Sequence, residues 1–264
     1  MVLYNSGDLI LEEEADMKIV YSPRFNGVYE NDPAAEPGRM EAIEAELKGF
    51  DIIEPVPAAL EDISLCHTDY HINYVQRYGT VFEMAALAAG GAIKAAELGF
   101  SGEPAFGAIR PPGHHASSDS CWGFCFFNNM AIAISKLIEQ KKIRTALILD
   151  FDLHYGDGTA NIFHGNEDVI YFHPEDSRRQ DFVDHVDKFL GQNRADIIAV
   201  SAGFDRHIDD WGRLLTTADY KLIGQAVKEF ALKKCDGRRF GVLEGGYNHA
   251  VLGKNVKAFI EGMA

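Results

Sequence analysis

Short runs of apolar and β-branched residues recur along the chain at 17–22 (MKIVYS), 105–109 (AFGAI), 145–150 (TALILD), 169–172 (VIYF), 196–201 (DIIAVS) and 240–246 (FGVLEGG). These runs are continuous rather than alternating, the pattern of strands buried on both faces. Between them apolar positions recur three and four residues apart, in GRMEAIEAELKGF, VFEMAALAAGGAIKAAELGF, NNMAIAISKLIEQ, FVDHVDKFLGQN, DYKLIGQAVKEFALKK and HAVLGKNVKAFIEGM. Those segments predict helices. Strand and helix in alternation predict a single α/β domain over residues 1–264, with a central, mainly parallel sheet carrying helices on both faces. Residues 23–37, around NGVYENDPAAEPG, read as an irregular loop.

Open parallel sheets bind ligands at the carboxyl ends of their strands. The run 145–150 ends in Asp150, with Asp152, His154 and Asp157 just beyond it. The run 196–201 is followed by Asp205, the run 105–109 by His114 and His115, and the run 240–246 by Tyr247 and Asn248. Four strand ends therefore deliver polar side chains to one edge. In DFDLHYGD, residues 150–157, three carboxylates crowd into eight positions. They raise one another's pKa values unless positive charge sits among them.

Asp152 and His154 are alternate residues and share a side if the extended conformation continues. With Asp205 they form a three-ligand set with a vacancy, as a catalytic metal needs. Carboxylate and imidazole suit Zn²⁺, and also Fe²⁺, Mn²⁺ or Co²⁺. Taken alone the same residues read as turn and cap residues, with Asp157-Gly158 starting the next helix. Either imidazole of His114-His115 can manage a proton near neutral pH, and Asp150 and Asp157 are at hand to fix their tautomers. Tyr247 follows two glycines that allow close backbone approach, and its phenol can donate to an oxyanion. CWGFCFFNN reads equally as the wall of an apolar slot or as a core cluster. His207, in GFDRHIDD, reads either as a substrate contact or as a turn cap, the Asp-rich segment favouring the turn.

Composition removes some partners and leaves others. With 40 acidic against 25 basic residues, a net charge of −15 and a pI near 5.0, the chain lacks the basic face of a nucleic-acid binder. Its four cysteines are too few and scattered for a disulfide scaffold, and Cys121 and Cys125 lack the second pair of a zinc finger. The start MVLYNSGDLILEEEADM has no signal-peptide pattern, and no uncharged apolar run reaches membrane-spanning length. The expected compartment is a reducing cytoplasm, with no membrane partner.

The segments RPPGHHASSDSCWGFCFFNN, LILDFDLHYGDGT, AVSAGFD and LEGGYN, in that order, resemble the histone deacetylase superfamily, which includes acetylpolyamine amidohydrolases and bacterial lysine deacetylases. The resemblance spans roughly residues 17 to 261, with EPGRMEAI and CHTDYHINYV adding to it near the start. It implies the α/β fold shared with arginases and hydrolysis of an N-acyl amide on an acyl-lysine, acetylpolyamine or similar acylated amine. It also implies site residues. Asp152, His154 and Asp205 match zinc ligands, and His115 the general base and acid, with His114 as its electrostatic partner. Asp150 and Asp157 match the carboxylates orienting His114 and His115. Tyr247 matches the carbonyl-polarising tyrosine, Gly123 and Phe124 the tunnel wall, and Asp150 with its strand neighbours a structural potassium site built largely of main-chain oxygens.

Two segments depart from the family pattern. YGTVFEMAALAAGG runs from Tyr78 almost straight into a helix where relatives carry a loop with a substrate-gripping acidic residue. HPEDSRRQDFVDHV joins His173 to a helix where relatives carry a long loop with a second tunnel aromatic. The expected site is therefore shallow and open, suited to bulky acyl groups, or else walled by another subunit of a homo-oligomer. Two other readings remain open. An arginase-like ureohydrolase needs a second metal, yet Asp205 has no closely following second aspartate, Asp209 standing four residues on. A binding module for acyl-lysine or a small ligand needs neither the histidine base nor the Tyr247 hydroxyl.

Overall fold

The computed structural model describes residues 17–264; the N-terminal segment read above against a signal peptide lies almost wholly outside them. Seven strands form one parallel sheet: β1 Lys18–Val20, β2 Asp51–Ile53, β3 Ala105–Gly107, β4 Ala146–Asp150, β5 Val169–Phe172, β6 Ile197–Ala202 and β7 Arg239–Leu243. Their order across the sheet is β2-β1-β3-β7-β6-β4-β5. Helices α1 Arg39–Glu44, α2 Leu60–Ile63, α3 Asp69–Gln76, α4 Thr80–Phe100, α5 Asn129–Glu139, α6 Asp157–Ile162, α7 Arg179–Gln192, α8 Thr217–Lys234 and α9 His249–Met263 flank it. α4 packs against β1, β3 and β7 and carries α5, while α8 packs against β6 and β7 between α7 and α9. No helix of the described residues is long and apolar enough to cross a membrane.

The six apolar runs and the six longer helical patterns all fold as expected. β2 escapes the pattern because it is a three-residue edge strand, exposed over Asp51 and Ile52, with no continuous apolar run. α3 escapes it because its buried face is His71, Ile72 and Val75, one member of which reads as polar. Residues 23–37 hold only a short 3₁₀ turn, Pro23–Asn26, before further turns.

The strands whose ends carry polar residues, β3, β7, β6 and β4, are four consecutive positions in the sheet. Register aligns them further. Asp150 pairs with Ser201, Ser201 with Val242, and Val242 with Gly107, so the four strands run out at one level. Phe151 and Phe204 then face the core, both fully buried and edge-on to each other at 5.6 Å, with Phe259 beside them. Burying each ring is worth about 2–3 kcal/mol. The alternation Asp-Phe-Asp and Phe-Asp thereby anchors the apolar residues below and projects the carboxylates above.

Candidate active site

Past the end of β4 the chain turns back on its own side chains. The Asp152 N–H donates to Asp150 Oδ1 at 3.1 Å, and the His154 N–H to Asp152 Oδ1 at 2.9 Å. Neighbouring strand ends lock the same segment: Gly245 N–H donates to Asp152 Oδ2 at 2.8 Å and Leu153 N–H to Asp205 Oδ1 at 3.0 Å. This leaves His154 Nδ1 at 3.4 Å from both Asp152 Oδ1 and Asp205 Oδ2. Asp205 Oδ2 is buried with no hydrogen-bond partner. The backbone must come very close here, since a Cβ on Gly203 would stand 2.1 Å, and one on Gly245 2.6 Å, from Asp152 Oδ2.

The three side chains of this trio shift one another's pKa values in different directions. Burial opposes the charge on Asp152, but His114 and His154 outweigh it and hold its carboxyl below the usual range. Asp205 goes the other way, pushed up to about 6 by burial and by the Asp152 charge. The Asp152 and Asp205 carboxylates beside its Nδ1 raise His154 to about 10, so that imidazole holds a proton at neutral pH.

The histidine pair is brought to the same place and divided by its surroundings. His114 Nδ1 lies 3.1 Å from Asp150 Oδ2, and His115 Nδ1 lies 2.7 Å from Asp157 Oδ1. Burial disfavours charge on His114, yet Asp152 and Asp150 prevail and hold it well above the usual histidine value. His115 is lowered to about 4 by burial and then by the His114 charge. At neutral pH one ring is an imidazolium and its neighbour a neutral base, 4.1 Å away between centroids. Asp157 also opens α6, so it starts the helix as expected while contacting His115, although the N-cap is Gly156 and no side chain caps that helix.

Sequence reasoning missed several residues that hold this pair. Glu244, buried at the end of β7, accepts from the N–H groups of Gly113 and His114 through Oε2 at 2.7 and 3.2 Å. Tyr171 on β5 donates to Asp150 Oδ2 at 2.9 Å and accepts from the Gly156 N–H. His67 and His71, in CHTDYHINYV, contact Ser117 O and Phe126 O and so fasten the loop after the histidine pair. An intramolecular partner for a carboxylate leaves no local sequence signal when it comes from another strand.

A cavity of about 110 Å³ opens over these groups, lined by His114, His115, His154, Phe124, Tyr247 and both tryptophans of the chain, among others. Trp122 lies against His115 at 3.8 Å, its ring tilted by 34°, and its Nε1–H donates to Asp157 Oδ2 at 2.9 Å. Trp211 stacks on Tyr247 at 4.1 Å, with Phe124 edge-on to Tyr247 at 5.6 Å. Gly123, at φ +62°, sits against His115, where a Cβ would be 3.3 Å from Cδ2. The two short connections are as brief as expected, α4 starting at Thr80 and α7 at Arg179. The indoles of Trp122 and Trp211, each about half exposed, flank the slot. Trp122 was visible only as part of an aromatic segment, and Trp211 stands alone in DDWG with nothing to single it out.

Tyr247 is held by its backbone. Asp210 Oδ2 accepts from the N–H groups of Tyr247 and Asn248 at 2.8 Å each, and Arg39 Nε donates to Gly246 O at 2.8 Å. Burial and then the charges of Asp152 and Asp205 raise its phenol well above its usual value, so the hydroxyl stays a donor. His207 is a turn residue, buried and accepting from the Asp209 N–H through Nδ1 at 3.1 Å.

Trp122→Phe separates the ring contact from the hydrogen bond. The Asp157 carboxylate loses one donor while the ring over His115 remains. Loss of an outer partner of this kind costs about tenfold in rate; the expected result is a fall in kcat with KM nearly unchanged, read from steady-state kinetics alongside an unaltered melting temperature.

The histone deacetylase domain model matches residues 34–178 and 173–263. A probable deacetylase of Methanothermobacter thermautotrophicus is 30% identical, over 94% of this chain and 90% of its own length. A probable deacetylase of Archaeoglobus fulgidus is 33% identical over 75% of this chain and 69% of its own. The crystal structure of the HDA15 HD domain shares the fold, with a TM-score of 0.80 at 24% identity over 93% of this chain and 90% of that one. With the strand-end carboxylates and histidines already on one edge of a parallel sheet, these matches along nearly the whole length settle the family: the chain belongs to the histone deacetylase superfamily and is a deacetylase-type hydrolase acting on amides.

Proposed function

We propose that the protein is a zinc-dependent amidohydrolase that removes an acetyl or other acyl group from an acylated amine, an acyl-lysine side chain, acetylpolyamine or similar compound. The observation that carries this reading is the trio of Asp152, His154 and Asp205 directly beside one neutral and one charged histidine. The donor set fits a small divalent ion. Ligands about 2.1 Å from a tetrahedral zinc stand about 3.4 Å apart. His154 Nδ1 has that separation from both carboxylate oxygens, one of which is buried and unpartnered. Fe²⁺ or Co²⁺ suits the same donors.

When bound, the ion supplies Lewis acidity to the amide carbonyl and to the attacking water. The remaining steps belong to side chains of this protein. His115, neutral and held at Nδ1 by Asp157, takes the proton of the attacking water on Nε2. Asp157 steadies the imidazolium that results. His114 is already charged and keeps its proton on the Asp150 side. Tyr247 donates its hydroxyl hydrogen to the carbonyl oxygen as negative charge develops there. As the C–N bond breaks, His115 returns a proton to the departing amine nitrogen. Phe124, Trp122 and Trp211 enclose the acylated chain and exclude water from one side of it.

Ion uptake should be coupled to pH with a definite sign. The His154 proton, bound below a pKa of about 10, must leave for the ion to enter. Affinity for zinc is therefore expected to rise about tenfold per pH unit between neutrality and that value. Below about 6 a proton on Asp205 must leave as well, and the dependence steepens. Zinc titration of the metal-free protein with a pH indicator checks this: about one proton released per ion at neutral pH, approaching two in mild acid.

The function itself is tested by incubating the zinc-loaded protein with an Nε-acetyl-lysine peptide, an acetylated polyamine and arginine, and following products by NMR. Acetate released in equal amount with free amine is the expected result. Urea from arginine would move the chain to the ureohydrolase reading. Saturable binding of an acylated amine with neither product would make it a binding protein.

A further inference from the structure

Arg206 follows Asp205 in the chain and is buried, 6% exposed. Its Nε donates to the main-chain oxygens of Asp152 at 2.9 Å and Phe151 at 3.2 Å. One terminal nitrogen donates to Pro174 O at 3.0 Å and to His173 Nε2 at 3.0 Å, and reaches Leu153 O at 3.4 Å. The Phe182 ring covers the guanidinium at 4.9 Å. Among the described residues no carboxylate forms an ion pair with it, although the charges of Asp152, Asp205 and Asp150 all act on it. A buried arginine ordinarily takes a carboxylate in a two-point grip. A single positive charge ringed by backbone carbonyls is instead the arrangement that replaces the water shell of a desolvated alkali cation.

Resemblance to the family implies a structural potassium beside Asp150, held by main-chain oxygens. The residues present here do not fit one, because the carbonyls at the ends of β4 and β5 already accept from Arg206. We propose that the Arg206 guanidinium is a built-in monovalent cation that takes the place of that potassium, so that the protein folds and works without one. Arg206 is then a positioning residue. It holds the carbonyls of residues 151–153, the segment that carries Asp152 and His154, and it offsets the three buried aspartates around them.

The first test needs no substitution. Melting temperature, zinc affinity and turnover of the wild-type protein are measured in potassium, sodium or tetramethylammonium chloride at one ionic strength. No difference among the three is expected; a melting temperature or zinc affinity that rises specifically with potassium would overturn the proposal. The second uses Arg206→Ala, which opens a cation-sized space among the same carbonyls. Zinc affinity and kcat are expected to fall about tenfold, as for loss of a residue that orients metal ligands, and to recover in part on adding potassium or guanidinium ions. A folded variant with unchanged zinc affinity, or with a loss that neither ion restores, would also overturn it. Should Arg206→Ala not fold, the wild-type comparison decides alone. Melting and zinc binding are read without turnover, so failure of this inference is distinct from failure of the amidohydrolase reading.

Discussion

Asp152→Ala is expected to remove bound zinc and lower kcat/KM by about three orders of magnitude or more, since the Lewis acid and the shape of its site go together. Asp152 holds more than its share of that site. One oxygen accepts from the His154 N–H and faces the His154 ring, and the other accepts from the Gly245 N–H. Its loss leaves two backbone donors unpaired, at about 1–3 kcal/mol each. Part of that is returned, because Asp205 no longer faces a like charge and its pKa should fall from about 6. The metal-free variant should therefore melt only a little below the metal-free wild type. Zinc separates the two. At a thousandfold excess over its dissociation constant a ligand adds about 4 kcal/mol to stability, so wild-type melting should rise sharply on adding zinc while the variant stays put. A variant that still gained stability from zinc would place the ion elsewhere.

Tyr247→Phe should lower kcat by about 10²–10³-fold, the usual cost of one oxyanion donor, and leave KM nearly unchanged. The reasoning is local. The Tyr247 ring is fixed by the Trp211 stack, by Phe124 and by Asp210 and Arg39 on the surrounding backbone, none of which uses the hydroxyl. Among the described residues that hydroxyl has no hydrogen-bond partner of its own. Removing it should cost nothing in melting temperature. A fall in kcat without a change in stability or KM identifies a group that acts only as charge develops. A binding protein would show no effect at all, and a purely packing role would show a lower melting temperature instead.

Much of this site was legible because strand ends in a parallel sheet converge whatever the intervening sequence. Asp150 ends, and His115, Asp205 and Tyr247 follow, apolar runs that are easy to see, and the register of β4, β6, β7 and β3 then brings the strand ends level. What could not be read was the support around them. Glu244 directly follows a strand that looks like core, Tyr171 belongs to an ordinary apolar run, and Arg206 is one cation in a charged stretch. Each acts through a contact more than twenty residues away in sequence, with a partner that gives no local pattern. The indoles that flank the slot were missed for a related reason. Two shortened loops suggested an open site, and single tryptophans at 122 and 211, each about half exposed, carry no periodicity that would place them at its rim. β2 and α3 were missed because short, half-exposed elements are fixed by neighbours rather than by their own pattern.

The most direct test of the metal-centred account is acetate release from an acetylated amine by one preparation in three states: as purified, after chelation, and after zinc is restored. Loss of turnover on chelation and its recovery at one zinc per chain is the result predicted for a centre built on Asp152, His154 and Asp205. Turnover that survives complete removal of the metal would contradict it.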